Sequence, residues 1–393
     1  MSASTAGPYR LVQELLAKAD VRLNGNRPHD IRIYRPQFFD KVLSRWSLGL
    51  GESYMDGDWD CDALDQCIAR LLIADLDDSV RGRARARLAL SLVRARLMNL
   101  QSRRRAFQVA ERHYDIDNDL FRYMLDSRMI YSCAYWERAL TLEQAQVDKL
   151  DLICQKLELQ PGEHLLDIGC GWGGLAAHAA RHYGVRVTGL TVSREQQAFA
   201  SEACAGLPVE IRLQDYRDLN EPFDKIVSVG MFEHVGERNY PAYFQSVHRA
   251  LKPGGLFLLH TIGSRTTTSS TDPWIDKYIF PNGKIPSAVE ISQSLEPHWV
   301  IEDWQNFGRD YDATLMAWHR NIVSALPTLS RRYDSRFLRM WSYYLLSCAG
   351  YFRSLKGQLW QIVLSKADRP QGYRSLRFRQ VRHTPLSDIP SDA

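Results

Sequence analysis

The sequence predicts an α/β fold in which helices cover both faces of a mostly parallel sheet, preceded by a small, mainly helical N-terminal domain. Two observations predict the sheet. Short apolar segments alternate with helical stretches from residue 163 onward, and the first of these segments runs directly into a glycine-rich turn. A third observation predicts the N-terminal domain, because residues 9–18 have helical periodicity and 31–34 alternate like one short strand.

Seven apolar segments are candidates for the strands of this sheet. They lie at 164–168, 185–190, 209–213, 225–230, 255–262, 298–306 and 358–366. Among the helical stretches, 142–157 is amphipathic and ends before Pro161 and Gly162, and 313–355 is rich in aromatic residues. The carboxyl ends of the strands are where a doubly wound sheet binds its ligands. We therefore expect the chemistry in the loops that follow the strands.

The turn after the first strand is the best candidate for a ligand site. Its candidate binding residues are Asp167, Gly169, Cys170, Gly171, Trp172, Gly173 and Gly174. The glycines let a ligand approach the backbone closely, and the N–H groups and positive dipole end of the next helix face that ligand. The spacing also fits the dinucleotide pattern, but Asp167 precedes the turn, Trp172 lies in it, and the second strand ends without an acidic residue for a ribose. A nucleoside with a cationic tail, such as S-adenosylmethionine, fits better than NAD. The structural alternative is a turn that only packs a helix on the sheet.

Composition and charge exclude several classes of protein. At 393 residues the chain can hold two domains, and its net charge of +4 says little about partners. The seven cysteines are scattered without zinc or disulfide spacing, which predicts a reducing cytoplasm and no metal site. No signal-peptide pattern and no apolar run of membrane-spanning length is visible, so we expect any membrane contact to be peripheral.

Residues 81–105 carry nine arginines and no acidic residue. Leucines and a valine fall on one arc of a helix there, and arginine stems beside such a stripe can reach into a lipid headgroup layer. The alternatives are a solvated basic face packed on the core and a nucleic-acid surface, although no aromatic platform accompanies the arginines. We divide the chain into an N-terminal helical domain at 1–105, with a membrane role, and a main α/β domain at 106–393.

Several motifs together resemble the cyclopropane-fatty-acid synthase family of S-adenosylmethionine-dependent lipid methyltransferases. The matching stretches are 51–57 (GESYMDG), 131–136 (YSCAYW), 166–174 (LDIGCGWGG), 229–236 (VGMFEHVG), 260–263 (HTIG), 277–283 (KYIFPNG) and 307–311 (FGRDY). The likeness runs from about residue 9 to 366 and is greatest to the bacterial members with an extra N-terminal domain, which the mycolic-acid cyclopropane synthases lack. It implies a Rossmann-like class I methyltransferase fold and a homodimer that involves the N-terminal domain.

The resemblance also implies which further residues contact the cofactor. They are Tyr131 and Ser132 over the methionine end, Thr191, Ser193 and Gln196 at the ribose, Gln214, Asp215 and Tyr216 at the adenine, and Gly230. Neutral side chains can bind the ribose in place of the acidic residue that is missing here, because they also donate and accept hydrogen bonds. Asp215 can accept from the exocyclic amine of adenine, and the structural alternative for Asp215 is a loop cap.

The implied substrate is a cis double bond in a phospholipid acyl chain. An alkene has no proton or lone pair for a side chain to activate, so catalysis depends on alignment with the sulfonium methyl and on tolerance of positive charge. A proton must then leave the new methyl group before the ring can close, which requires a base. Cys133, Glu233, His260, the backbone of Ile262, and Tyr311 match the family's bicarbonate-binding constellation. Glu233 would accept from the bicarbonate hydroxyl, while His260 and Tyr311 would donate to its oxygens.

Each of these catalytic candidates has a structural alternative. Glu233 could cap a helix, His260 could be a satisfied core histidine, Cys133 could be a small apolar filler and Tyr311 a packing aromatic. Cys348 occupies the place of a cysteine sometimes considered catalytic in the family. It is a weaker candidate, because no step needs a thiolate.

The sequence thus predicts a cytoplasmic enzyme at the inner face of the membrane, acting on unsaturated phospholipid acyl chains. Its expected cofactors are S-adenosylmethionine and bicarbonate, and no nucleic-acid partner is expected. Two alternatives stay open: a methyltransferase for a soluble small molecule, and a non-enzymatic basic module that binds membrane or nucleic acid. The second would leave Glu233 and His260 without an explanation.

Overall fold

A computed structural model of the chain describes residues 3–76, 118–268, 270–369 and 372–376. The basic stretch 81–105 and the domain boundary after residue 105 lie outside the described residues, so both stay predictions. Within the described residues, no helix combines the length and the apolar character needed to cross a bilayer.

The N-terminal part contains three helices and a two-stranded sheet. Its elements are α1 (Ala3–Lys18), β1 (Arg32–Ile33), α2 (Gln37–Met55), β2 (Trp59–Asp60) and α3 (Leu64–Ile73). β1 pairs with β2 in antiparallel orientation, so the short strand predicted at 31–34 is confirmed. α2 is interrupted at Trp46, which has a φ of 49°. Gly51 lies in the second half of α2, where a Cβ would stand 2.4 Å from the ring of Trp274. The glycine therefore permits close packing between distant parts of the chain.

The rest of the described chain alternates strands and helices. Its elements are α4 (Asn118–Met124), α5 (Leu142–Lys156), β3 (His164–Ile168), α6 (Gly174–Tyr183), β4 (Arg186–Thr191), α7 (Arg194–Ala203), β5 (Val209–Leu213), β6 (Phe223–Val229), α8 (Tyr240–Ala250), β7 (Leu251–Ser264), α9 (Pro273–Tyr278), α10 (Ala288–Leu295), β8 (Val300–Asn306), α11 (Gly308–Leu329), α12 (Ser335–Arg353) and β9 (Gly357–Ser365). The predicted helix at 142–157 is α5, and the predicted helical segment 313–355 is the pair α11 and α12.

The main sheet has seven strands in the order β5-β4-β3-β6-β7-β9-β8. The first five of these are parallel, while β9 runs antiparallel to both β7 and β8. The predicted mostly parallel seven-stranded sheet is confirmed. β7 is longer than the predicted segment 255–262, because its ends pair with β6 at Leu251 and with β9 at Ser264. The chain proceeds outward from β3 to β5 and then returns to β6 on the other side, so a crevice opens at the carboxyl ends of β3 and β6.

Apolar clusters on both faces hold the sheet between its helices. A further cluster joins the N-terminal helices to α11 and α12, with Phe38 and Trp59 in the same set as Trp318 and Trp341. Each of these four aromatic side chains is at most 1% exposed. The helical layer formed by α2, α3, α11 and α12 therefore shares one core, and it lies against the α/β part that carries the site.

Candidate active site

The turn between β3 and α6 uses its glycines for two different purposes. Gly171 has a φ of 55°, and a Cβ built there meets no described residue within 4 Å, so this position opens onto free space. Gly173 has a φ of 85°, and a Cβ there would stand 3.1 Å from both Ala200 and Cys204. Gly171 thus leaves room for a ligand, whereas Gly173 allows α6 to pack closely against α7.

A cavity lies directly above this turn and collects most of the predicted cofactor residues. Those lining it are Tyr131, Ser132, Asp167, Gly169, Cys170, Gly171, Trp172, Gly174, Thr191, Gln196, Gln214, Asp215, Tyr216 and Gly230. Two predicted residues, Gly173 and Ser193, are not in the lining. Gly173 serves packing, and the Ser193 hydroxyl caps α7 by accepting from the Gln196 N–H at 3.3 Å. For these two residues the structure shows a local structural role, and the predicted cofactor contact stays a prediction.

The far end of the cavity is polar and already partly hydrogen-bonded. Thr191 Oγ1 donates to Gln196 Oε1 at 2.8 Å, which fixes both side chains where a ribose is expected. Asp215 accepts from the Arg217 N–H at 2.9 Å and pairs with its guanidinium at 3.0 Å. Asp215 is therefore a loop cap as well as a lining residue. Burial raises the pKa of Tyr216 to about 12, so this hydroxyl keeps its proton at neutral pH.

Sequence reasoning missed several residues of the cavity wall. These are Met129, Lys149, Arg217, Met231, His234, Pro281 and Asn282. A signal for Lys149 does exist, because Ala145, Lys149 and Ile153 share one face of α5 at a spacing of four residues. A lysine in the middle of an apolar helical face has to be explained by a buried partner or a ligand.

Lys149 and Asp167 place opposite charges in the same wall. Lys149 Nζ donates to Ser132 Oγ at 2.9 Å, and burial lowers its pKa to about 8. Burial raises the pKa of Asp167 to about 7, and the nearby Lys149 opposes that shift. Asp167 Oδ2 is buried and has no hydrogen-bond partner in the described part of the chain. Both groups therefore titrate close to neutral pH.

Glu233 lies just beyond the carboxyl end of β6 and is held in a fixed orientation. Its Oε1 accepts from the Ile262 N–H at 2.6 Å, whereas its Oε2 is buried without a partner among the described residues. Burial raises the pKa of this carboxyl to about 6. Glu233 does not cap a helix, since its carboxylate reaches across to β7. The Ile262 N–H therefore holds Glu233 in place, and the predicted contact between the Ile262 backbone and bicarbonate stays a prediction.

His260 on β7 has one ring nitrogen engaged and the other without a partner. Gln361 Nε2 on β9 donates to His260 Nδ1 at 3.3 Å, and the two residues are direct cross-strand neighbours. His260 Nε2 is buried and makes no hydrogen bond to any described residue. Burial, followed by the charges of Lys149 and Lys156, holds the pKa of His260 well below its usual range. His260 is thus neutral, its Nε2 carries the proton, and it is not the satisfied core histidine of the structural alternative.

The structure brings Cys133, Ile262 and Tyr311 into one small apolar cluster with Phe307 and Leu359. Cys133 is 1% exposed, and burial raises the pKa of its thiol. The predicted catalytic constellation is therefore adjacent in space, because Ile262 also holds Glu233 and shares β7 with His260. None of these residues lines the cavity above the glycine turn, although Tyr131, Ser132 and Cys133 are consecutive and join the two regions.

Cys348 on α12 is not part of the small apolar cluster that contains Cys133 and Tyr311. It lies at the edge of the large apolar cluster, and burial raises the pKa of its thiol to about 12. Almost no thiolate exists at neutral pH, so a nucleophilic role is disfavoured.

The strand order, the glycine turn after β3 and the cavity at the carboxyl ends of β3 and β6 define a class I S-adenosylmethionine-dependent methyltransferase. The model of the mycolic acid cyclopropane synthetase family matches residues 101–362, and the chain belongs to this family. The cyclopropane-fatty-acyl-phospholipid synthase of Escherichia coli K12 is 56% identical over 358 residues, which cover 91% of this chain and 93% of that protein.

Two solved structures support the same assignment. The cyclopropane synthase MmaA2 from Mycobacterium tuberculosis has a TM-score of 0.63 and 34% identity, covering 66% of this chain and 98% of that one. The mycolic acid cyclopropane synthase CmaA1 in complex with SAH and CTAB has a TM-score of 0.62 and 33% identity, with the same coverage. Nothing in these two structures corresponds to about a third of this chain.

Proposed function

We propose that the protein transfers a methylene group from S-adenosylmethionine across the cis double bond of unsaturated phospholipid acyl chains. The products are cyclopropane fatty acyl chains, S-adenosylhomocysteine and a proton. The observation that carries the proposal is the pair of buried polar atoms Glu233 Oε2, just after β6, and His260 Nε2, on the neighbouring strand β7, neither of which has a partner among the described residues. The identity to the E. coli synthase along nearly the whole chain supports the substrate class.

The chain's own residues align the reactants and hold the charges. The glycine turn leaves room for the donor, and Tyr131, whose hydroxyl lies 2.9 Å from that of Tyr344, ties the cavity wall to α12. The rings of Tyr311 and Tyr135 pack in the cluster that contains Cys133 and Ile262, and the ring of Phe280 packs against that of Tyr344. Aromatic faces of this kind can stabilise the cation that methyl transfer leaves on the acyl chain. The protein has to align the double bond rigidly with the sulfonium methyl group, because an alkene has no group that a side chain could deprotonate to activate it.

The residues beside the cavity fit a bicarbonate ion. A buried carboxylate oxygen on Glu233 can accept the bicarbonate hydroxyl, and the neutral His260 can donate from Nε2 to a bicarbonate oxygen. Tyr311, whose pKa is raised by burial, keeps its proton and can donate as well. When bound, bicarbonate supplies the base that removes a proton from the transferred methyl group. The Ile262 N–H holds Glu233 in place for this contact.

Substrate access requires the acyl chain to leave a bilayer. We infer peripheral attachment to the inner face of the cytoplasmic membrane through the basic stretch 81–105. Its nine arginines favour anionic headgroups. A homodimer would place two such stretches on one membrane and gain avidity without new contacts.

The test is turnover on vesicles of cis-unsaturated phospholipid in buffer freed of carbon dioxide, with and without added bicarbonate. We expect activity to rise on addition and to saturate. Glu233→Gln should need far more bicarbonate while binding S-adenosylhomocysteine as tightly as the wild type. Full activity without bicarbonate would refute the assignment of the base and leave methyl transfer to lipid standing.

A further inference from the structure

Lys149 is a buried cation in the cavity wall that the proposed reaction does not use. It is 2% exposed, and in the described chain the single hydrogen bond from its Nζ goes to a neutral hydroxyl, that of Ser132. No carboxylate of the described residues lies within ion-pair distance of Nζ. Burying an ammonium group without an anion is costly, so such a lysine is normally compensated by a partner or a ligand.

Lys156 on the same helix is also buried, but its ammonium group has polar, acidic and aromatic neighbours. It is 1% exposed, two turns further along α5, and its Nζ donates to Gln305 Oε1 at 2.7 Å. Asp303 lies 3.8 Å from the same Nζ, and the ring of Phe307 lies 5.0 Å from it. Lys156 does not line the cavity, whereas Lys149 does. The two lysines differ in that Lys149 faces a ligand site and lacks an anion.

Asp167 provides a buried negative charge in the same cavity wall as Lys149. It is 1% exposed, lies at the end of β3 in the same wall, and presents Oδ2 without a partner in the described chain. The wall therefore holds one buried cation and one buried anion, each close enough to influence the other's ionisation without forming an ion pair. Asp126 also raises the pKa of Lys149, but it is not among the residues that line the cavity. An α-amino acid carries the same two charges on adjacent substituents.

We propose that Lys149, together with Ser132, binds the carboxylate of the methionine end of S-adenosylmethionine, while Asp167 accepts from its ammonium group. The inference rests on the proposed use of S-adenosylmethionine as the methyl donor. It does not depend on which molecule accepts the methyl group. It makes Lys149 a binding residue that anchors the amino-acid tail. Once the tail is anchored, the sulfonium is fixed relative to the glycine turn.

The two charges predict how affinity for S-adenosylhomocysteine depends on pH. The ligand ammonium stabilises the Asp167 carboxylate, so binding releases a proton below pH 7, and affinity rises with pH up to about 7. The ligand carboxylate stabilises the Lys149 ammonium, so binding takes up a proton above pH 8, and affinity falls beyond about 8. The affinity maximum should therefore lie between these two values.

The experiment combines two ligands with three proteins. Titration calorimetry measures S-adenosylhomocysteine and its decarboxylated analogue, S-adenosyl-3-thiopropylamine, on the wild type, Lys149→Met and the matched control Lys156→Met. A charge-assisted hydrogen bond predicts that Lys149→Met loses about 10- to 100-fold in affinity for S-adenosylhomocysteine. The same variant should lose less than about threefold for the decarboxylated analogue, and Lys156→Met should change neither affinity by more than that.

Equal losses for both ligands, or no loss, would overturn the proposal. If Lys149→Met bound S-adenosylhomocysteine as tightly as the wild type but needed more bicarbonate, the proposal would also be overturned. Lys149 would then act on the bicarbonate that serves as the catalytic base. If Lys149→Met does not fold, the wild type still decides. Above pH 8, the wild type should lose more affinity for S-adenosylhomocysteine than for the decarboxylated analogue. Equal pH profiles for the two ligands would refute the contact between Lys149 and the ligand carboxylate. None of these outcomes depends on cyclopropane formation, so failure here and failure of the proposed function are distinguishable.

Discussion

Replacing Gly171 with alanine separates ligand binding from folding in the glycine turn. The added Cβ meets no atom of the described residues within 4 Å, so the cost to the folded state is that of the left-handed conformation at φ 55°. That cost is about 1 kcal/mol for a residue with a Cβ. The free space in question is the cavity itself, so the methyl group intrudes where the donor binds.

The expected loss of binding is larger than the loss of stability. Forcing one extra methyl group into a close contact costs about 1–3 kcal/mol, or roughly 5- to 150-fold in affinity. Gly206→Ala is the matched control: it has a φ of 79°, open space around the Cβ and no place in the cavity wall. Both variants should lose about 1 kcal/mol of unfolding free energy.

Urea unfolding and calorimetric titration with S-adenosylhomocysteine measure the two effects separately. Only Gly171→Ala should bind weakly. If both variants bound the ligand as tightly as the wild type, the donor would not lie over Gly171, and the assignment of the cavity would be wrong.

Three further predictions concern the catalytic constellation. Because the carboxylate form of Glu233 is required and its pKa is about 6, kcat/KM at a fixed, saturating concentration of bicarbonate ion should fall about tenfold per pH unit below pH 6. Glu233→Gln, assayed at the higher bicarbonate that it needs, should lack this limb, and a limb near pH 4.5 in the wild type would show that Glu233 is not the titrating group. Gln361→Leu removes the donor to His260 Nδ1 and should lower kcat about 2- to 10-fold while leaving donor affinity unchanged. Nitrogen NMR of His260 should then show mixed tautomers, and one unchanged tautomer would refute the positioning role. Cys348→Ala should keep most of its activity, because its thiol has a pKa of about 12, and complete inactivation with normal folding would contradict this.

The sheet and the glycine turn were predictable because their signals are local. The short apolar segments, the break at Pro161 and Gly162, and the glycines at 169 and 171 all lie within a few residues of the structure that they determine. The length of β7 was not predictable, because its last residues are stabilised by pairing with β9, almost a hundred residues later. The packing role of Gly173 was not predictable for the same reason, since it depends on the approach of α7.

The catalytic residues were found through family resemblance, but their hydrogen bonds needed the fold. Cross-strand register alone places Gln361 beside His260, and no local pattern contains that pairing. The contact from the Ile262 N–H to Glu233 joins the ends of two strands in the same way. For Lys149, helical periodicity predicts burial, but only the folded structure shows that the buried side chain lines the cavity.

The most direct test of the central claim is the fate of the methyl hydrogens. S-adenosylmethionine with a trideuterated methyl group is incubated with the enzyme and vesicles of cis-unsaturated phospholipid, and the fatty acids are analysed by mass spectrometry. The account predicts ring-containing chains that have lost one deuterium per transferred carbon. Methyl-branched acyclic chains that retain all of the deuterium, or turnover that needs no lipid, would contradict it.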